Sequence, residues 1–497
     1  MREYIITVKD PAVWDTGLWN ELTVDGLGDN FIPSRSIEVL NERPFNDFMA
    51  HFNLTDEEAE QIRQDPRIAF VELQADLQEG VKKEHFGTRP AYSYDKTSWT
   101  SNAMKNWGLL RSSRPTNPFA SSSSVSAEFT YNLDGTGVDI VFIDTGIMPN
   151  HPEFAVNADG SGGSRVVDFN WASLGVPGTP TSAQIGGYLA DSDGHGSHCA
   201  GISAGNTQGW APGAAIYSIR IFTGNFNPSL GAFNSDIAFD VVRAFHLAKK
   251  AAGNNRPTIC SNSWGYYGTY SGMTATVYRG QVYSGSFRNA NYGQVYGYHP
   301  AVVNYLDISA TNCANAGVIL VGAAGNYQHK IDVSGGVDYN NFWTSGWGQN
   351  YYHRGSSPTR ADGFITVGAI DNTVTEQKAY YSESGPRVDV YAAGSYIMSA
   401  YSSGISDPRN PAYLIGKISG TSMATPQVTG LLATVLQARP NMTPAEAKAF
   451  IVERSVKNAL VMTGADSYAN TTSLQGGNNR ILQTPFTSPN RGGINSN

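Results

Sequence analysis

Val138-Asp-Ile-Val-Phe-Ile-Asp-Thr-Gly146 is the stretch on which the fold turns. Residues 138–143 are apolar but for Asp139, rich in β-branched side chains and too short for a core helix, so they read as a buried strand. The run ends on a carboxylate, Asp144, followed by a turn glycine. Working outward, Val318-Ile-Leu-Val321 is a second buried-strand run, ending in Gly322-Ala-Ala-Gly-Asn326. Between them Ile237, Val241, Val242, Phe245 and Ala248 fall at helical spacing over residues 236–252. Further strands are expected at 216–221, 364–370 and 388–392. Helices are expected at 422–436 and after Thr443, which caps with Pro444 in the first turn. Strands alternating with helices predict an α/β fold with a mainly parallel sheet covered on both faces. In such sheets the working residues gather at the carboxyl ends of the strands.

The first residues read differently. Residues 4–8 form a strand pattern, Thr55-Asp-Glu-Glu58 is a capping box opening a helix through Arg63, and 68–72 return as a strand. This predicts a small α+β unit over 1–76, then a polar linker over 77–106. Residues 112–128, with Ser121 to Ser124, read as an exposed loop. The body is expected over 107–460, and the Asn-, Gly- and Thr-rich stretch 461–497 as an extension.

Composition sets the outer bounds. The 497 residues carry 34 Lys+Arg against 42 Asp+Glu, a net charge of −8, with 15% charged and 40% hydrophobic residues. That excludes disorder as the dominant state and argues against nucleic acid as a partner, which calls for a basic excess. Three cysteines, Cys199, Cys260 and Cys313, cannot build a disulfide framework, and no CxxC pair offers a zinc site. The N-terminus lacks a secretory apolar core, and no run approaches the roughly 18 residues that span a bilayer. No membrane association is expected; the cytoplasm, a non-standard export route or packaging in a particle such as a virion are the expected locations.

Three segments hold the residue types that a hydroxyl nucleophile requires. They are Asp144-Thr-Gly146, Asp193-Gly-His-Gly-Ser-His-Cys-Ala-Gly201, and Gly420-Thr-Ser-Met-Ala-Thr-Pro426 at a helix start. Serine is a poor nucleophile at neutral pH, imidazole is the suitable base, and a carboxylate behind it fixes the tautomer. A helix N-terminus offers N–H groups and a dipole to a developing oxyanion. Taken singly, each has a plainer meaning. Asp144 is a turn residue, or half of an aspartic-protease pair whose second Asp-Thr-Gly is missing from the chain. His195 and His198 are a metal pair, Ser422 a helix cap, Asn326 a turn residue, Trp264 packing and Cys199 a small buried side chain.

Together these segments resemble the subtilisin-like serine proteases, and Cys199-Ala-Gly201 and Phe129-Thr-Tyr131 look most like the proteinase K branch. The resemblance implies a three-layer subtilisin-like fold, with Asp144 as orienting acid, His195 rather than His198 as general base, and Ser422 as nucleophile. It implies Asn326 as the oxyanion-hole donor. Ser261-Asn-Ser-Trp-Gly265 looks like the edge that binds substrate as an added strand. Ser263, Trp264 and Gly265 would then line one wall of the P1 pocket, and Ala323, Ala324 and Gly325 the other, leaving room for an apolar side chain. The N-terminal unit resembles the family's ferredoxin-like prosegment, an intramolecular inhibitor cleaved off in the 77–106 linker. The expected activity is that of a self-processing serine endopeptidase acting on proteins or peptides, with no catalytic cofactor; the family often binds structural calcium, for which the spacing assigns no ligands. A structural module built on a retired protease fold is the alternative. Two stretches, 269–300 (rich in Tyr and Gly, including Tyr292 and Tyr296) and 327–360, match no family motif and are expected to be insertions near the groove.

Overall fold

The computed structural model describes the chain except residues 25–31, 43–45, 75–76, 79–80, 86–104, 126–130, 132, 223–231, 285–297, 347, 468 and 485–497. Phe129, Tyr292, Tyr296 and most of the 77–106 linker therefore lie outside the described residues.

The body is built on an eight-stranded sheet. Its order is Val456–Lys457, Arg480–Ile481, Val390–Ala393, Phe364–Ile370, Ile319–Ala323, Thr258–Asn262, Asp139–Asp144 and Ala215–Arg220. All pairings are parallel except the first, between the two shortest strands. The five strands expected from the sequence are all present, and Thr258–Asn262, at the centre, joins them. One face packs against His195–Ala204 and Thr421–Ala438 in a core containing Ile140, Phe142, Val321, Val367, Val428 and Leu431. The other packs against Ser235–Ala251 and Asn304–Asn315 around Val141, Cys260, Leu320, Val241 and Leu306. Strands buried on both faces are why these runs are continuously apolar instead of alternating. Among the described residues no helix is long and apolar enough to cross a membrane.

The N-terminal unit is a four-stranded antiparallel sheet, ordered Glu38–Glu42, Met49–Leu54, Arg2–Val8, Ile68–Leu73. The helix Asp56–Arg63 starts at the expected capping box, with Thr55 Oγ1 and the Glu58 side chain each satisfying the other's backbone N–H. The unit has its own core, including Ile6, Phe52 and Ile62. Its opposite face sends Ile5 and Met49 into the body's second core. Polar contacts seal this junction. His51 lies 2.6 Å from Glu3 and 3.2 Å from Asp236, and Asn46 Nδ2 donates to Ser309 Oγ at 3.1 Å. Glu72 accepts from the backbone N–H groups of Asn304 and Tyr305, which open a helix. Burial pushes its carboxyl up to about 7 despite those bonds.

Two expected boundaries move. The polar 77–106 stretch is not all linker, because Val81–His85 forms a strand paired to Trp264–Thr269. A strand at a sheet edge needs only backbone donors and acceptors, so its charged side chains gave no sign of it. Nor is 461–497 an extension throughout. Leu474, Ile481 and Leu482 are buried in the main core, and Ile481 pairs with Tyr391 in the sheet. The body thus runs on to Thr484, whose N–H donates to Ser112 O.

The two unmatched insertions find each other. Ala275–Tyr278 and Gln281–Ser284 pair as a hairpin, and the first of them pairs with Phe342–Ser345, itself paired with Gly348–Tyr351. The result is one separate four-stranded antiparallel sheet.

Candidate active site

Asp144 ends its strand beside the start of the helix His195–Ala204, and two glycines permit the approach. A Cβ on Gly196 would lie 2.1 Å from Gly146 O, and one on Gly146 would lie 2.2 Å from Ala190 O. Asp144 Oδ1 then reaches His195 Nδ1 at 2.7 Å and also accepts from the Thr145 N–H at 2.7 Å. Thr145 Oγ1 accepts from Gly196 N–H and donates to Asp191, whose carboxylate takes the Gly194 and Ser197 N–H groups. Asp191 thereby fixes the helix start that carries His195. Burial alone would lower the His195 pKa. The Asp144 carboxylate outweighs it, with the Cys199 thiol adding, so the imidazole titrates above its ordinary 6.5. His198 has no such partner. Burial pushes it down to about 3, and it bonds Gly416 O instead, which leaves His195 as the basic histidine.

Ser422 is the second residue of the helix Thr421–Ala438, so its N–H is among those without an intrahelical acceptor. Pro426 sits four residues later and has no N–H to offer the Ser422 carbonyl. That oxygen is taken up elsewhere, by Ser263 Oγ at 3.0 Å and by the Cys199 thiol at 3.5 Å. Ser422 Oγ in turn donates to Ser263 O at 3.1 Å. Cys199 Sγ lies 3.9 Å from His195 Nδ1, so this one buried thiol touches both the histidine and the serine residue. Asp144, His195 and Ser422 are all buried, and Cys199 lies against both the His195 ring and the Ser422 carbonyl.

Asn326 follows Gly325, whose φ of +123° favours glycine. Its side-chain oxygen accepts from both the Thr421 N–H and Thr421 Oγ1 at 2.9 Å. With the oxygen so engaged, the amide NH2 is the end left to face a developing oxyanion.

The residues expected to wall a P1 pocket differ in kind. Ala323 and Ala324 are small and buried. Trp264 does not line the other wall with its side chain, because the indole turns into the core between Phe239 and Tyr266. Only its backbone is available there, since successive residues of a strand point to opposite faces. Two residues that the sequence reading missed lie against Gly325. Tyr267 OH donates to Glu383 Oε1 at 2.8 Å, and both lie directly behind Gly325, where a Cβ would meet them. Burial pushes the Glu383 carboxyl well above the usual carboxylate range, against the Tyr267 hydrogen bond and the Lys378 charge. An acid in Ser382-Glu-Ser384 carries no sequence signal of that role. The strand Trp264–Thr269 has Tyr298–Pro300 on one side and Val81–His85 on the other. Among the described residues, one group of potential metal ligands comes close enough to hold an ion, and it is Asp144, His195 and Cys199. Its shortest spacing is the Asp144–His195 hydrogen bond itself.

The Subtilase family pattern matches residues 135–480, most of the chain and all three of these segments. The chain belongs to the subtilase family. It is 28% identical to an extracellular serine proteinase of Thermus sp. (strain Rt41A), over 87% of this chain and 74% of that one. It is 25% identical to a subtilisin-like protease of Coccidioides posadasii (strain C735), over 93% and 79% respectively. Among solved structures, fervidolysin from Fervidobacterium pennivorans, a keratinolytic enzyme related to subtilisin, matches in fold with a TM-score of 0.56 at 19% identity. That match covers 99% of this chain and 62% of fervidolysin. This subtilase is accordingly a serine endopeptidase.

Proposed function

We propose that this subtilase hydrolyses peptide bonds through Asp144, His195 and Ser422, and that it is made as a self-processing zymogen. The observation that carries the reading is the 2.7 Å Asp144–His195 bond joined to Ser422 through Cys199. Substrate pairs as a strand along Trp264–Thr269. Ser422 Oγ attacks the scissile carbonyl while His195 Nε2 takes its proton, and Asp144 holds the ring with Nδ1–H toward itself. Asn326 and the Ser422 N–H receive the oxyanion. His195 returns the proton to the leaving amine, and water then hydrolyses the acyl-enzyme. The steps use protein groups and water only.

The P1 side chain, on the acyl side of the scissile bond, enters between Ala323–Gly325 and the backbone of Ser263–Gly265. The small buried side chains of Ala323 and Ala324 support an apolar P1 residue. The N-terminal unit acts as inhibitor, since its following strand already occupies the substrate edge. We place the site of action outside the cell, by likeness to the Thermus proteinase whose name says extracellular.

The test is expression of the full chain with Ser422→Ala. Uncleaved protein should accumulate, with turnover of a peptide substrate down by about 10⁴–10⁶-fold. Processing of that variant at the normal rate would refute self-maturation. Retained turnover would refute Ser422 as nucleophile.

A further inference from the structure

Asn326 is held from two sides. The start of the helix Thr421–Ala438 takes its side-chain oxygen. The backbone that carries it is set by a different part of the chain, residues 378–384. A run of hydrogen bonds zips that segment to residues 325–331. Glu383 N–H donates to Gly325 O at 2.9 Å and Gln328 N–H to Tyr381 O at 2.9 Å. Ser384 N–H donates to His329 O at 3.1 Å, and Ile331 N–H returns to Ser384 O at 2.7 Å. Behind the zipper, the buried Lys378 closes the turn by donating from Nζ to Ala379 O and Ser382 O at 3.0 and 2.9 Å. A buried ammonium bonded to two carbonyls of one turn makes the shape of that turn costly to change.

At Gly325 the contact becomes side chain against backbone. A Cβ there would lie 2.0 Å from Tyr267 OH and 2.6 Å from Glu383 Oε1, so both groups pack directly on its α-carbon. They pack as a pair, since the hydroxyl donates to that same oxygen at 2.8 Å. The Tyr267 ring has no room to retreat, being buried against Ala323 and against Tyr327, whose ring centroid is 4.7 Å away. Gly325 is thus gripped at its nitrogen by Thr421 Oγ1, at its oxygen by the Glu383 N–H and at its α-carbon by the pair. A glycine has wide torsional freedom, so these neighbours fix the φ of +123° from which Asn326 departs.

We propose that Tyr267 and Glu383 are positioning residues of the oxyanion hole, acting through Gly325 to aim the Asn326 amide. The proposal rests on the role proposed above for Asn326 as oxyanion donor. Neither side chain has to touch substrate, because a shift of about 1 Å in a group that acts on the transition state costs up to about 10²-fold in rate.

Single variants of the full chain, assayed on a short peptide that fills the P1 pocket, give the first test. Tyr267→Phe removes the hydroxyl and keeps the ring in its packing. It should lower kcat by about 10-fold to 10²-fold with KM inside about threefold, the pattern of an interaction made only in the transition state. An unchanged kcat, or a loss carried by KM alone, overturns the proposal; the second result would make the pair a pocket wall. Glu383→Gln keeps an oxygen for the hydroxyl to donate to and should hold kcat within about threefold, whereas Glu383→Ala should fall as far as Tyr267→Phe. Equal losses for Gln and Ala overturn the hydrogen bond as the positioning device.

A double-mutant cycle with Asn326 then separates positioning from plain support of the fold. Asn326→Ala alone should lower kcat by about 10²–10³-fold. With the amide gone the pair has nothing left to aim, so adding Tyr267→Phe should cost less than about a further twofold in kcat. Its effect on Tm should be the same in both backgrounds. If Tyr267→Phe lowers kcat by the same factor with and without Asn326, the pair supports the site in general and the proposal is overturned, while the role of Asn326 stands. If Asn326→Ala keeps the wild-type kcat, the oxyanion reading and this proposal fall together.

Discussion

The proposed triad and the inserted sheet flank the same edge strand, yet they are held together in opposite ways. At the triad, each functional side chain sits at the end of an element whose backbone geometry is set by its immediate neighbours. The strand stops at Asp144, a helix begins at His195, and another begins one residue before Ser422. Gly146 and Gly196 let these ends touch. The inserted sheet has no such local rule. Its two halves come from stretches on either side of Asn326, and a tight hairpin at Arg279 and Gly280 starts it, both with positive φ. The halves are then tied by a two-pronged ion pair from Arg279 to Asp338. Chemistry that depends on element ends is written in short contiguous segments. A sheet assembled from two insertions is written only in their mutual fit.

The largest effect should come from breaking the triad while sparing its shape. Asp144→Asn keeps the side-chain volume but offers His195 the wrong tautomer, so kcat should fall by about 10⁴-fold. It should also move a pH limb. Activity needs neutral His195 and therefore falls as pH drops through the imidazole pKa, which Asp144 holds above 6.5. Without the carboxylate that pKa drops, and the acid limb of kcat/KM should shift to lower pH. A pH profile that keeps its limb in place would remove Asp144 as the partner of His195.

The contrast between the two regions also explains what could be read in advance. Asp144 was legible as a strand end and Ser422 as a helix start, while the roles proposed for them, for His195 and for Asn326 came from the resemblance to the subtilases. Tyr267 and Glu383 were not legible, because they meet across separate segments and a lone glutamate looks like any surface acid. Val81–His85 was hidden by its own lysines. The end of the body was hidden by composition: Asn, Ser and Asp there look like a tail but bond to backbone. Asn479 exchanges two hydrogen bonds with Leu460, and Asp466 accepts from the Gln475 and Gly476 N–H groups. Trp264 shows the converse, a motif residue whose side chain serves the core while its backbone serves the edge.

A smaller effect should follow from Pro426→Ala. The substitution restores an N–H that can bond the Ser422 carbonyl within the helix, in competition with Ser263 Oγ and Cys199 Sγ. Helix stability should hold or rise, since an interior proline is unfavourable. The nucleophile, however, loses part of what positions it, and kcat should fall by up to about 10²-fold, the scale set by displacements near 1 Å. Thermal melts and kcat measured on the same preparation separate the two. Unchanged kcat with a raised Tm would mean that the proline does nothing for the serine.

The inserted sheet should matter least to the chemical step. Trp343 is buried and meets Tyr270 and His299 with ring centroids 5.7 and 5.1 Å apart. Tyr270 continues from the edge strand, and His299 lies on the strand paired with it, opposite Gly268. Trp343→Ala empties that contact and should cost about 3–5 kcal/mol of local stability, visible as faster hydrogen exchange in 275–284 and 342–351. Because the triad and Asn326 are held by their own element ends, kcat/KM on a short peptide that fills only the P1 pocket should stay within about threefold. A long substrate that pairs along the whole edge should lose more, through KM. If the short peptide suffered equally, the edge strand would owe its geometry to the insertions, and the separation drawn between the two regions would fail.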